Sequence, residues 1–510
     1  MDILAFTLYF VAMLAIGVYF FFKSKEVTEK DYFLGGRAMG PWVTAMSAQA
    51  SDMSAWLLMG LPGSILAFGF GQAWIGIGLA IGTAANWILV AKRLRKFSKA
   101  SGDAITLPQY LSNRFASKSH AVSVICAVVF LVCFTIYVAS AFVAGSDVFT
   151  TLIPSLSKST AMLIFAAIVV IYTFLGGFNA VCWTDFFQGL LMLGALLIVP
   201  VVVGFTRELE PAALTTIYEG PKGEEFKFVA NFFNASWKDI LSGLGWGLGY
   251  FGMPHIIVRF MAIEKPSMVK KSATVAIVWV VLSLAATIVI AYLGRMFVYS
   301  NGTDLSAKLL ADGQQSLIFV ELARDVFPKF IAGLLLAAII AASMSTADSQ
   351  LLVAASSFAS DLYKPMIRKQ ASNKEMLWVS RIIVLVIAVV AYFIASSKGK
   401  AAQAIMDLVS NAWGIFGAAF GPAVLFSLFW KRFTYKGAVA GIVVGAVVDM
   451  AWLWLPIGGA TLTASTGIYE IIPGFIIGAI AAVIVTLIDK KPSEEVLAIY
   501  ERATDNSIDD

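Results

Sequence analysis

The chain reads as a succession of apolar runs of about 20 residues separated by short polar loops, and each run is long enough to cross roughly 30 Å of hydrocarbon as a helix. Thirteen spans are expected, near 3–22, 42–70, 72–91, 121–146, 159–176, 183–204, 232–260, 272–297, 328–352, 378–396, 402–430, 436–455 and 469–488. The first has Lys23 and Lys25 behind it and no basic residue before it, the reverse of a secretory signal, so it is expected to stay as a span with its N-terminus outside. Alternation then puts Lys92, Arg93, Arg95, Lys96, Lys99, Lys270, Lys271, Lys364, Arg368, Lys369, Lys431, Arg432, Lys490 and Lys491 in the cytoplasm, with the C-terminus. The bias of basic residues towards that side supports the odd number of spans. The acidic stretch from Glu208 to Glu225 falls outside. The loops are too short to hide a soluble domain, so one transmembrane domain, 1–488, and a charged cytoplasmic tail, 489–510, are expected.

Two spans break their own pattern. Span 42–70 carries the polar run Ser47 to Ser54 in mid-membrane and then Gly60-Leu-Pro-Gly63. Asp52 lies deep in it, where an ionised carboxylate costs about 2.5–3.5 kcal/mol, so something must compensate it. Span 232–260 carries Gly243-Leu-Gly-Trp-Gly-Leu-Gly-Tyr-Phe-Gly252, followed by Met253-Pro254, and its glycines are expected to free the backbone and let Trp246 and Tyr250 reach one cavity. The GxGxxG inside this run has no strand before it and does not read as a dinucleotide loop. Irregular backbone at membrane depth is tolerated only where protein buries it or a hydrated cavity meets it. Two breaks five spans apart, in spans of opposite direction, are what an inverted repeat of five plus five helices produces, with 42–204 as the first repeat and 232–430 as the second. The span at 3–22 and the pair at 436–488 are then additional helices.

Composition narrows the function. Of 510 residues 59% are apolar and 14% charged, with a mean hydropathy of +0.83, against about 45–50% and 25% in soluble domains, which excludes a water-soluble enzyme. The net charge of +5 is small and the basic residues flank spans, so nucleic acid is not an expected partner, nor is an obligate protein partner inferred. Cys126, Cys133 and Cys182 lie in or beside apolar segments and the chain has two histidines, which leaves no disulfide framework and no zinc site. No nucleophile–base pair, metal motif or acid pair appears in the spans, so no enzymatic activity is expected. A channel lacks a filter segment or charge ring, and a sensor lacks an output domain.

A second polar cluster, Ala341 to Ser349, ends span 328–352. Ala342, Ser345 and Thr346 stand at i, i+3 and i+4, on one helix face, offering two hydroxyls and a carbonyl to a hard cation. Carbonyls of Ala50 and Met53 in the broken span can complete an oxygen shell suited to sodium. The competing reading is that both hydroxyls bond back to their own helix or glue neighbours together.

The runs Tyr32-Phe-Leu-Gly-Gly-Arg37, Ser51-Asp-Met-Ser-Ala-Trp-Leu-Leu-Met-Gly-Leu-Pro-Gly63, Gly245-Trp-Gly-Leu-Gly-Tyr-Phe-Gly-Met-Pro-His255, Ala342-Ser-Met-Ser-Thr346 and Tyr469-Glu-Ile-Ile-Pro-Gly474 resemble the proline-transporting members of the sodium/solute symporter family, and the likeness extends from about residue 5 to 490. The resemblance implies an all-α, leucine-transporter-like fold with one helix added before the repeats and two after them. It implies sodium on the oxygens of Ala50, Met53, Ala342, Ser345 and Thr346, with sodium dependence resting on Asp52, whose carboxylate is expected to take hydrogen bonds from freed amides, and Ser54 supporting the same turn. It implies a proline site lined by Tyr137, Trp246, Tyr250 and Pro254, in which aromatic faces pack on the ring and half-helix amides receive the carboxylate; ordinary packing is the alternative for the three aromatics. Asp185 is either near a second sodium site or an interfacial cap, Arg37 either a gate ion-pair residue or a topology anchor, and Asp348 either a cytoplasmic gate residue or a solvated charge. His255 is expected to be a structural hydrogen-bonding residue.

Ala55 and Met253 stand where that branch usually has glycine and glutamine, implying a stiffer hinge and a less polar cavity. No buried Arg–Glu pair suited to a strongly charged solute is evident. The implied activity is sodium-coupled import of L-proline across a bacterial inner membrane by alternating access. Pantothenate, a sugar or another amino acid as solute, or proline sensing, are the alternatives.

Overall fold

In a computed structural model the chain is almost wholly helical; residues 1–23, 28–221, 223–298, 305–397 and 403–505 are described. Position 402 of one expected span, Lys25 and the last five residues of the tail lie outside these. In chain order the helices are α1 (Asp2–Lys23), α2 (Glu29–Leu34), α3 (Pro41–Met53), α4 (Gly60–Phe68), α5 (Phe70–Ala85), α6 (Lys92–Ala100), α7 (Leu107–Arg114), α8 (Ala121–Leu152), α9 (Lys158–Thr206) and α10 (Trp237–Gly245). They continue with α11 (Pro254–Ala262), α12 (Val269–Phe297), α13 (Ile318–Val326), α14 (Lys329–Ser357), α15 (Asn373–Ser397), α16 (Gln403–Phe429), α17 (Tyr435–Trp454), α18 (Leu462–Thr466), α19 (Ile471–Ile488) and α20 (Glu494–Thr504).

Ten helical stretches among the described residues are long and apolar enough to cross a membrane. The other expected crossings fall on interrupted or shorter helices: α3 with α4, the first part of α9, and α10 with α11. In α9 the interruption is Gly177, at φ +69°, which separates two helical segments that the sequence placed in different spans. In hydrocarbon each backbone amide needs an internal partner, and a helix supplies it locally, which is why apolar runs without β-forming alternation fold this way. Ile3, Leu8 and Val11 of α1, Leu385, Val389 and Phe393 of α15 and Ile480, Ile484 and Ile488 of α19 are exposed, forming the apolar jacket that lipid covers. The long α14 is buried along almost its whole length and forms the axis against which α1, α3, α8 and α9 pack.

The acidic loop between α9 and α10 is more ordered than its polarity suggests. It carries a hairpin of two-residue strands, Tyr218–Glu219 with Glu225–Phe226, and reaches the α4–α5 junction, where the Phe70 amide donates to Val229 O at 2.8 Å. Gly69 makes that approach possible: its φ is +80°, and a Cβ there would stand 2.2 Å from Val229 N. Arg295 of α12, fully buried, donates to Leu66 O of α4 and to Ala213 O and Thr216 O of the loop, tying them together.

The glycine run of the second broken span acts differently from the sequence expectation. None of residues 243–252 has positive φ; residues 246–251 form a tight 3₁₀ turn between α10 and α11. The glycines are needed because backbones touch. A Cβ on Gly78 of α5 would come within 2.1 Å of Gly243 O, one on Gly82 within 2.4 Å of Gly247 O, and one on Gly249 within 2.0 Å of Trp413 Nε1. Gly247→Ala is therefore expected to lower the thermal unfolding midpoint of the purified protein by an overpacking cost of about 1–3 kcal/mol. Gly194→Ala, at a helical glycine with nothing within 4 Å, is expected to leave the midpoint unchanged or raise it.

Candidate cation and substrate site

The first broken span stops being α-helical after Met53. Ser54 sits at φ +48° and ψ −175°, a conformation that costs a residue with a Cβ about 1–3 kcal/mol, and its hydroxyl accepts from the Trp56 amide at 3.1 Å. Ending α3 here leaves carbonyls without helical donors, and side chains of three other spans meet them. Ser345 Oγ of α14 lies 2.9 Å from Ala50 O and 3.2 Å from Ala342 O; His255 Nε2 of α11 lies 3.1 Å from Ser51 O; the Tyr137 hydroxyl of α8 donates to Asp52 O at 3.4 Å. Asp52 itself is buried, and its Oδ2 accepts from the Tyr250 hydroxyl at 2.6 Å. The expected freed amides do not hold it; a phenol from the other broken span does.

Thr346 follows Ser345 on the same face, and its hydroxyl is buried with no hydrogen-bond partner. A buried polar group left unpaired costs about 1–3 kcal/mol, so a ligand is the economical explanation. Ala50, Ala342 and Ser345 are drawn together within one hydrogen-bond contact, and Met53 is the last residue of the helix that carries Ala50. The donor set is neutral oxygen, and no cluster of His, Cys, Asp or Glu that could hold a metal occurs among the described residues. Such a set fits a weakly held, hard monovalent cation better than a transition metal.

Above this point the two breaks meet through aromatic rings. Trp246 stacks on Trp56 at 5.5 Å and on Tyr469 at 5.0 Å between centroids, while Trp413 Nε1 donates to Trp246 O at 2.8 Å. A cavity of about 550 Å³ descends from the α4–α10 end, past Ser64, Asp239, Asp407 and Glu470, to Trp246. Tyr250 and Tyr137 lie below the stack, buried beside Asp52, so Trp246 and Tyr250 do not share one open cavity as the sequence suggested. Pro254 is the first residue of α11, where its missing amide proton is harmless.

Asp185 and Asp348 prove deeply buried, which removes the readings of interfacial cap and solvated charge. Asp185 Oδ2 accepts from Ser47 Oγ at 2.7 Å and from Arg259 Nη2 at 3.2 Å. Arg259 also donates to Ser349 Oγ at 2.5 Å and His255 O at 2.6 Å, and Ser349 lies 3.4 Å from Asp348 Oδ1. A buried Arg–Asp pair therefore exists, which the residue pattern, weighed only for Arg–Glu pairs suited to a charged solute, did not bring out. Arg259 was the residue missed, and its signal was available: two carboxylates and one guanidinium inside apolar runs must find one another, because an isolated intramembrane charge is too costly.

At the opposite end Arg37 ties several segments together. Its Nε lies 2.8 Å from Asp103 Oδ1, Nη1 donates to Met261 O at 2.5 Å and to Ser98 Oγ at 3.1 Å, and Nη2 donates to Ala104 O at 2.7 Å. Lys30 forms a second ion pair with Asp103. Arg37 is thus an ion-pair residue joining α11, α6 and the loop after α6. Burial, with repulsion from Arg95 added, pushes Arg37 down to about 10, so it stays charged at neutral pH. Burial would raise Asp103, but hydrogen bonds and charge from Lys30 and Arg37 outweigh it and hold its carboxyl below the usual carboxylate range.

The sodium:solute symporter family model matches residues 32–445. The chain is 42% identical over 506 residues to the sodium/proline symporter of Haemophilus influenzae, with 98% of this chain and 97% of that one covered. It is 43% identical to the sodium/proline symporter of Escherichia coli, covering 96% and 94%, and 41% identical to a high-affinity proline transporter of Bacillus subtilis, covering 95% and 97%. Among solved structures, a sodium-coupled sialic acid symporter in a substrate-bound outward-open state superposes with a TM-score of 0.76 at 20% identity, covering 96% of this chain and 98% of that one. A nucleobase-cation-symport-1 family transporter in a closed conformation gives 0.54 at 12% identity, covering 92% and 97%. These two likenesses are of fold, the leucine-transporter-like one.

Because the Asp103 carboxyl is depressed in the folded protein, the stability its pair lends the closed end is present above about pH 3.9 and is lost as pH falls through the lower folded value. Hydrogen exchange of segment 98–106 is expected to be constant from pH 8 to pH 5 after correction for intrinsic rates. Asp103→Asn is expected to speed it across that whole range, and an unaltered rate would show that the pair does not hold the end shut.

Proposed function

The chain belongs to the sodium:solute symporter family, and from that premise we infer that it imports L-proline across the bacterial inner membrane together with sodium. It is a multi-pass membrane protein, and its relatives are transporters rather than enzymes. The observation that carries the coupling site is the unpartnered Thr346 hydroxyl beside the Ser345–Ala50 contact, at the point where α3 stops. Sodium is cargo here, and Ala50, Met53, Ala342, Ser345 and Thr346 are the oxygens we assign to it.

The proposed cycle follows from where that site lies. A cation between α14 and the end of α3 fixes two elements from different repeats, which favours the arrangement in which the Trp246 side is accessible. Proline then enters at Trp246 and, once the aromatic stack parts, sits between the two breaks with its ring against Trp246 and Tyr250 and with Tyr137, Ser54 and Pro254 bounding the site. Asp52, held by Tyr250, links the substrate wall to the carbonyls beside the cation. Release requires the Arg37–Asp103 end to part, with Asp185 and Asp348 as the charged contacts that rearrange between α9, α11 and α14. Each sodium moving down 100 mV releases about 2.3 kcal/mol, enough for roughly 50-fold accumulation of proline before the sodium gradient itself is counted.

The orientation we propose keeps the N-terminus outside and the C-terminus in the cytoplasm, so the Trp246 cavity faces out. The thirteen-crossing count, the repeat boundaries 42–204 and 232–430, the added helices at 3–22 and 436–488 and a tail from 489 belong to the same proposal. The names of the relatives speak for proline over pantothenate, a sugar or another amino acid, and for transport over sensing.

Proline uptake into proteoliposomes with and without an inward sodium gradient tests the whole reading; uptake indifferent to sodium overturns it. Thr346→Ala and Ser345→Ala are expected to raise the sodium concentration for half-maximal uptake about tenfold or more, the loss of roughly one ligand interaction of 1.4 kcal/mol, with normal amounts of folded protein. Trp246→Ala is expected to raise the proline requirement while leaving sodium activation in place, and a folding defect alone would assign the ring to packing.

A further inference from the structure

A second cavity, about 360 Å³, lies on the Arg37 side of the molecule, far from the proline site. Arg95, Lys96 and Lys99 of α6, Gly102 of the following turn, Glu264 and Arg502 of α20 line it; Lys96 is engaged by Asp505, its Nζ donating to Asp505 O at 3.2 Å, and Arg95, Lys99 and Arg502 are the other cations of the lining, beside the one carboxylate of Glu264. Cations gathered on one wall repel one another unless a counter-charge joins them. Among the described residues no carboxylate pairs directly with Arg95: the guanidinium is buried, its Nε and Nη2 donate to the neutral carbonyls Ile263 O at 2.6 Å and Glu264 O at 2.8 Å, and its Nη1 has no hydrogen-bond partner among them. Asp103, whose charge also attracts Arg95, is engaged directly by Lys30 and Arg37.

We propose that this cavity is a binding site for a phosphate-bearing anion, with Arg95 as its floor and Lys99 and Arg502 as its exposed arms. Phosphate chemistry suits the lining, because a planar guanidinium and two or three ammonium or guanidinium arms match its several acceptor oxygens, and a carbonyl-braced Arg95 is already fixed in place. The orientation proposed above puts the cavity at the cytoplasmic surface, where the headgroups of the inner leaflet are anionic; a soluble phosphate compound offers the same chemistry.

The position also gives occupancy a consequence. Gly102, at φ +70°, leads directly into Asp103, the partner of Arg37, and Arg95 lies close enough to Arg37 to repel it. An anion on Arg95 relieves that repulsion and braces the turn that carries Asp103. It therefore favours the closed inner end. The C-terminal helix α20, which packs on α6 and brings Arg502, becomes part of this device rather than an appendage.

The test uses the full chain purified in a neutral detergent, with thermal unfolding followed as short-chain phosphatidylglycerol, short-chain phosphatidylcholine or inorganic phosphate is titrated in. Phosphatidylglycerol is expected to raise the unfolding midpoint where phosphatidylcholine does not, and Lys99→Gln with Arg502→Gln is expected to weaken its apparent affinity about 30-fold, or about 2 kcal/mol for two cations. If inorganic phosphate reproduces the shift and the double variant loses it, the site stands and its occupant is a soluble phosphate compound. Equal shifts with the two lipids, equal shifts in wild type and double variant, or no shift with any probe overturn the proposal. Both substitutions are of exposed side chains, and Lys99→Glu serves as a second variant whose charge reversal should abolish the shift. The readout needs neither sodium nor proline, so its failure leaves the transport reading untouched, and the reverse.

Discussion

A helix that stops in mid-membrane must have its carbonyls satisfied by something other than its own next turn. Around Ser54 that requirement organises the molecule. Ser345, His255 and Tyr137 reach the carbonyls of Ala50, Ser51 and Asp52 from three different spans, and Tyr250 holds the Asp52 side chain. Each of these contacts joins an element of one proposed repeat to an element of the other, or to a helix beside it. The freed backbone at which we propose the cation to bind is thus also held by side chains of both proposed repeats.

Around this point the protein uses two kinds of closeness. Glycines bring α5 against α10 and the 3₁₀ turn until backbones touch, leaving no room for a Cβ at Gly78, Gly243 or Gly247. Buried charges do the same work between α3, α9, α11 and α14, where Arg259 gathers Ser47, Asp185 and Ser349. The glycine contacts make one body rigid, since dispersion falls off steeply with any separation. The charged contacts are directional and exchangeable, which suits surfaces that must part and reform.

The two ends of the pathway are closed by different physics. Towards the proposed exterior, Trp56, Trp246 and Tyr469 form a stack whose faces also suit an imino acid ring and its ammonium. Towards the proposed cytoplasm, the end we propose to be the inner gate is held by Arg37 through one ion pair and three hydrogen-bond acceptors, beside a basic cavity. An aromatic closure can be entered by the substrate itself. An ionic closure has to be broken by motion of the helices that carry it, which in the proposed cycle places the energetic demand on the proposed inner side.

Much was legible in the residues themselves. Apolar runs bounded by basic loops gave the membrane helices and their approximate limits, because hydrocarbon thickness dictates length. The polar run at 47–54 gave the break, because nothing else explains Asp52 in an apolar segment, and the i, i+3, i+4 spacing put Ala342, Ser345 and Thr346 on one face. Tertiary structure decided what spacing cannot encode. It decided that the span 232–260 glycines serve contact with α5 rather than backbone freedom, that Tyr250 rather than an amide holds Asp52, and that Asp185, Asp348 and Arg259 form one buried network. The physical reason is that a residue's need for a partner is written locally, in its charge or its unpaired backbone, whereas the identity of that partner belongs to segments as far apart as α3 and α14, which only packing brings together.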